Sequence, residues 1–185
     1  MKMLSETKSL NNLQKLKADF QKFIRENYEP KAKNCLTCPT QGVCCTDAHF
    51  VNVHITRLEA IAIRKTLERF SEKKQREIFR RAEETIKKYD LKSSGDSFAR
   101  TFACPLFEKG IGCLVHSEAK PAPCIQHACY ENKEDLPPDE LQTEIEMQIE
   151  RLNKLTYRRD AVWLPIPLWM ELAANKHENS QKGLN

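Results

Sequence analysis

Between residue 5 and about residue 28, Leu10, Leu13, Phe20 and Ile24 recur at three- and four-residue spacings, with Lys17 the one polar member of the stripe. That period predicts an amphipathic helix. Pro30 closes it, and a loop rich in Thr, Pro, Gly and Asn follows. FVNVHIT, residues 50–56, alternates and is β-branched, which predicts a short strand. Thr56 then opens T-R-L-E, a capping box in which Glu59 reaches back to the Thr56 amide. The helix beyond carries Ala60, Ile63, Leu67 and Phe70 on one face. Ser71 caps a second helix running to about residue 90, with a stripe of Ile78 or Phe79, Ala82, Ile86 and Tyr89. SSGDS, residues 93–97, breaks the pattern. LPPDE starts another helix, with Leu141, Ile145, Ile149, Leu152 and Leu155 on one face. The tail AVWLPIPLWMELAAN, with Trp163 and Trp169, is expected to pack back on the body, and the polar last ten residues are expected to fray.

These elements predict a mostly α fold: a small helical domain with minimal β structure and two Cys-rich loops converging on a metal centre. Three parts are expected. Residues 1–30 form an N-terminal helix. Residues 31–132 form a cysteine-cluster domain with a helical hairpin, 57–90, inserted in it. Residues 133–185 form a C-terminal helix and a Trp/Pro tail. The chain has 185 residues, with Lys+Arg 30 against Asp+Glu 26 and a net charge of +4. That excess is too mild for a dedicated nucleic-acid binder. Five glycines leave little for a Gly-rich phosphate loop. The N-terminus has no apolar run of signal-peptide length. The longest apolar stretch, AVWLPIPLW, is broken by Pro165 and Pro167, so no membrane span is expected. The expected compartment is the cytoplasm, where thiols stay reduced.

Eight cysteines in such a chain need a chemistry other than disulfides. CLTCPTQGVCC holds Cys35, Cys38, Cys44 and Cys45, and a second loop holds Cys104, Cys113, Cys124 and Cys129. A CxxC turn aims two sulfurs at one point, and thiolate is the soft ligand that zinc and iron–sulfur clusters prefer. A thioredoxin-like redox role lacks its βαβ setting. All eight cysteines are therefore assigned as metal ligands, for Zn²⁺ or a [4Fe–4S] cluster. His49, His54, His116 and His127 stand in reserve, His127 foremost because it lies between Cys124 and Cys129. In extended chain, neighbouring side chains point to opposite faces. Cys44 and Cys45 are thus expected to serve two centres, or one centre and the core, with the two loops lying together.

The order CLTCPTQGVCC, then VHIT with Glu59 after it, then CPLFEKGIGCLVHSEAKPAPCIQHAC resembles the YkgJ-type cysteine-cluster proteins, which carry a zinc- or iron-chelating domain with a CxxCxxCC-like signature. The matching positions are Cys35, Cys38, Cys44, Cys45, Val53, Ile55, Thr56, Glu59, Cys104, Pro105, Leu106, Gly112, Cys113, Pro123, Cys124 and Cys129. The family often has arginines where this chain has Ala122 and Ile125, and its last cysteine gap is more often three residues than four. The resemblance covers about residues 35–129 and implies metal binding. Related flagellin lysine methylases use an iron–sulfur centre. No Gly-rich loop follows a strand here, so the methylase activity is not carried over.

The leading functional expectation is a metal-binding protein with a structural, redox or accessory role. One alternative is a metal- or cluster-dependent enzyme acting on a protein substrate. Another is a nucleic-acid- or protein-binding module using the hairpin, where residues 57–92 hold twelve Lys and Arg against seven acids. Interspersed charges of this kind mark a solvated face held by i,i+4 pairs.

Overall fold

The computed structural model describes residues 3–34, 37–38, 40–46, 51–94 and 98–172. The first helix, α1 (Glu6–Asn27), starts where extended Ser5 accepts the Lys8 amide on its hydroxyl at 3.3 Å. Leu13, Phe20 and Ile24 are buried as their spacing requires, and Lys17 is buried with them. The predicted Leu10 is only half-buried. Ser9 takes the buried position instead, because the Thr156 hydroxyl, from the far end of the chain, donates to it at 2.7 Å.

The described part of the predicted strand is short: β1 is only His54–Ile55. It pairs antiparallel with β4 (Leu164–Pro165), placing His54 opposite Pro165 and Ile55 opposite Leu164. Pro165 has no amide to give, so the ladder cannot extend regularly. The Ile166 amide closes it on the Val53 carbonyl at 3.2 Å. The Trp/Pro tail thus docks through backbone pairing as well as through apolar packing. Residues 166–172 are helical and bury Ile166, Leu168 and Met170.

The capping box forms as predicted. The Glu59 amide donates to Thr56 Oγ1 at 3.4 Å, and the Thr56 amide to Glu59 Oε2 at 3.3 Å. The helix it starts, α2 (Arg57–Leu67), stops before Phe70, which is half-buried beyond the end. Ser71 caps α3 (Glu72–Tyr89), which ends in left-handed Asp90. Its buried face is Ile78, Ala82 and Thr85 rather than the Ile86 and Tyr89 expected, because Thr85 turns toward the Ala103 carbonyl at 3.5 Å. Acids take up much of the hairpin's positive charge. Arg64 pairs with Glu68, Arg76 with Glu72 and Arg80 with Glu84 within the helices, while Lys74 and Arg69 reach Glu108 and Glu118.

The second cysteine segment, read from sequence as loop, holds two small elements. A hairpin joins β2 (Phe107–Glu108) to β3 (Gly112–Cys113) through left-handed Gly110. A short helix, α4, covers Ala122–Gln126. Pro123 looked like a loop signal, but it occupies the first turn, where a missing amide costs no intrahelical bond. The long helix α5 (Asp139–Tyr157) buries Ile145, Ile149 and Asn153. Asn153 Oδ1 accepts the Leu58 amide at 3.2 Å, an anchor between α5 and α2 that apolar periodicity does not show.

The protein is mostly helical. One apolar cluster lies between α2, α3, the 106–119 segment and the tail; a second joins α1, α2, α4 and α5. A third gathers Val51, Leu91, Phe102, Leu164 and Leu168. Among the described residues, no helix is long and apolar enough to cross a membrane. At the second cluster, Lys17 Nζ meets Glu59 Oε1 at 3.2 Å, with side-chain exposures of 8% and 0%. The same oxygen accepts the Ala122 amide at 3.4 Å. Breaking one half of a buried pair strands the other charge, at a cost of roughly 3–5 kcal/mol. Lys17→Met is expected to lower unfolding free energy by about that amount in urea denaturation, far more than loss of an exposed pair such as Lys22–Glu26.

Candidate metal centre

Gly42 sets the first loop. Its φ of +82° is open to glycine and strained for other residues, and the Phe107 ring lies directly on it. A Cβ added there would fall 1.9 Å from Phe107 Cζ. The chain then turns through a 3₁₀ turn, Val43–Cys45, held by the Cys45 amide on the Gly42 carbonyl at 2.8 Å and by the Thr46 hydroxyl on the Val43 carbonyl at 2.8 Å. This corrects the extended geometry expected for Cys44 and Cys45. Successive side chains in a 3₁₀ turn are separated by about 120° rather than 180°. The two thiols therefore approach each other and form a hydrogen bond instead of facing opposite ways.

The second loop is tied to the first by backbone. The Cys104 amide donates to the Cys45 carbonyl at 2.9 Å, and the Phe107 amide to the Cys104 carbonyl at 3.1 Å. The Leu106 amide donates to the Cys104 sulfur, and the Val115 amide to the Cys113 sulfur. Such bonds favour the anionic form of sulfur and fix its direction. Cys124 lies in α4, whose C-cap is His127. The His127 ring hydrogen-bonds Cys44. Cys45 lies within electrostatic reach of Cys104 and Cys124, and Cys124 of Cys104 and Cys113. Five cysteines and one histidine from the two segments thus occupy one neighbourhood.

The other sequence-predicted ligands that are described make contacts of their own. Cys38 Sγ contacts Thr40 Oγ1 at 3.6 Å. The Cys129 carbonyl accepts the Lys33 amide at 2.7 Å, beside the Ala32–Tyr130 bridge. Cys35 and His49 lie outside the described residues. His54 is buried and stacked on Phe98 at 3.7 Å between ring centroids. His116 is half-buried, and burial pushes its pKa down, helped by Lys120. Every described cysteine is a free thiol. As the described side chains stand, no three Cys, His, Asp or Glu groups are disposed to grip a single ion.

The thiols are electrostatically unequal. Hydrogen bonds from Cys45 and then His127 hold Cys44 down to about 4. Cys45 is pushed up, first by that same hydrogen bond and then by burial. Burial raises Cys104 to about 12 and drives Cys113 and Cys124 upward as well. Lys17 and Lys120 partly oppose the rise at Cys113 and Cys124, and Arg81 does so at Cys104. Compared with protein-family models, curated proteins and solved structures, the chain matches none of them.

Sequence reading missed the roles of Gly42, Phe107, Arg81, Lys120 and Asn153, since each acts through a contact distant along the chain. Glu59 was seen as a capping residue, but not as the acceptor for α4. Two outcomes test this geometry. Gly42→Ala is expected to cost about 2–4 kcal/mol, from left-handed backbone strain plus overlap with Phe107. Urea unfolding should show that cost shrinking when Phe107→Ala is added. In metal-free protein, Cys44 stays anionic down to about pH 4, because its folded pKa lies below the ordinary thiol value. Folded-state stability from that group is present above the ordinary thiol pKa and declines as pH falls toward 4. Iodoacetamide mapping at pH 6 should therefore label Cys44 first, and buried Cys104 and Cys124 last.

Proposed function

We propose that this chain is a metal-binding cysteine-cluster protein whose thiolates hold zinc or a [4Fe–4S] cluster, in a structural, redox or accessory role. The observation that carries this reading is the gathering of Cys44, Cys45, Cys104, Cys113, Cys124 and His127 as free side chains from two distant segments. Unrelated buried cysteines would have no reason to meet.

The donor set fits a soft ion or cluster. Five sulfurs form a chain of neighbours, Cys44 beside Cys45, Cys45 near Cys104 and Cys124, and Cys124 near Cys113; Cys104 and Cys113 accept backbone amides, and Cys44 interacts with the His127 imidazole. Cys35, Cys38 and Cys129 flank this group in sequence and complete the YkgJ-type order that the chain resembles. Ligation also gives a physical account of the raised thiols: a bound cation removes the penalty of holding several buried sulfurs as anions. When bound, zinc supplies a fixed crosslink between the loops, and an iron–sulfur cluster supplies an electron acceptor. The protein's own residues orient the sulfurs through the Gly42 turn, the Leu106 and Val115 amides and His127. Free thiols suit a reducing compartment, which makes the cytoplasm the proposed location.

Anaerobic purification with metal analysis and an optical spectrum tests this reading. The expected result is stoichiometric metal, colourless if zinc and brown with visible absorbance if iron–sulfur. Cys44→Ser and Cys104→Ser should each lower occupancy, and chelation should lower thermal stability. Protein that carries no metal above background, and whose thiols react freely with a disulfide reagent before and after chelation, overturns it.

A further inference from the structure

Helix α3 lies along the chain between Cys104 and the β2–β3 hairpin. Arg81 Nη1 donates to the Phe107 carbonyl at 3.0 Å, one turn from the Thr85 contact to Ala103. Phe107 is the joint of the site: its amide binds the Cys104 carbonyl, and its ring covers Gly42 ahead of Cys44 and Cys45. The rest of the guanidinium is less satisfied. Nε and Nη2 are buried with no hydrogen-bond partner among the described residues. The Glu108 carboxylate, whose Oε2 is likewise buried without a hydrogen-bond partner among the described residues, lies 4.0 Å from Nη2 and also pairs with Lys74.

A buried donor left unpaired costs roughly 1–3 kcal/mol, more when charged. Two on one side chain form an unfavourable arrangement unless something anionic lies beside them. Here the Glu108 carboxylate answers them in part, and the bond to the Phe107 carbonyl fixes where the guanidinium sits.

We infer that Arg81 is a positioning residue of the thiolate centre: it clamps the Phe107 carbonyl, and Phe107 shapes both the Cys104 turn and the Gly42 turn ahead of Cys44 and Cys45. This rests on the metal-binding reading above. It would make α3, outside both cysteine loops, part of the metal-binding machinery.

Titration of the metal-free full chain with Co²⁺ alone tests it, reading sulfur-to-cobalt charge-transfer absorbance and affinity by competition. Arg81→Gln is expected to weaken Co²⁺ binding by about tenfold or more, the range for lost outer-shell support. Arg81→Lys should recover most of that loss, because its ammonium can still donate to the Phe107 carbonyl. Thermal unfolding of the metal-free proteins should differ little between these two variants. Wild-type affinity in Arg81→Gln, or no recovery in Arg81→Lys, overturns the inference while leaving the metal reading standing. A wild-type protein with no thiolate–cobalt band ends both. Should Arg81→Gln fail to fold, Arg81→Met gives the second measurement. Removing the donors while keeping the apolar stem should weaken Co²⁺ binding to the same degree, and wild-type affinity overturns the proposal.

Discussion

Glu59 is wholly buried, and its carboxylate is shared among three partners: the Lys17 ammonium, the Thr56 amide and the Ala122 amide. Because Glu59 is fully buried, each polar group depends on the others being in place. Lys17 sits in the apolar stripe of α1, where it can be buried only if α1 docks with that face against the start of α2. Ala122 opens α4, so the same carboxylate sets where the helix carrying Cys124 begins. A buried ion pair of this kind is weak evidence for added stability. Its effect here is on register: few other dockings of α1, α2 and α4 would leave no buried charge stranded.

The thiol neighbourhood depends on that frame and on a second set of contacts between backbone groups. The hydrogen bond from the Cys104 amide to the Cys45 carbonyl and the Phe107 ring on Gly42 join the two loops, and the Arg81 clamp ties the second loop to α3. Each works through geometry more than through side-chain identity. The carbonyls of Cys45 and Phe107 would accept from any correctly placed donor, whereas Gly42 tolerates no Cβ. Side chains then tune the site: His127 favours the anion at Cys44, burial disfavours it at Cys104 and Cys124, and cations from α1, α3 and the chain before α4 offset part of that penalty.

Ala122 and Ile125 are buried at 0% and 3% exposure in the cluster that joins α1, α2, α4 and α5. The α4 face they occupy packs on apolar helices, which would strand a guanidinium. The positive groups facing the sulfurs come from Lys17, Lys120 and Arg81 instead.

The helices and their caps were legible along the chain because they depend on neighbours three or four residues away: the stripe of α1, the Thr56–Glu59 capping box and the Ser71 cap all formed where the residues indicated. The two groups of four cysteines were legible as chemistry, since so many thiols call for a common purpose, and the backbone bond from Cys104 to Cys45 brings the two segments together at that point. Tertiary structure alone decided which described cysteines come together, and that Cys44 and Cys45 follow one another in a 3₁₀ turn rather than in extended chain. It also made a buried lysine the partner of a capping glutamate, and paired the Pro-rich tail with β1. Those outcomes depend on contacts between residues far apart in sequence, and no local period or spacing encodes which distant carbonyl, ring or carboxylate will be there to meet them.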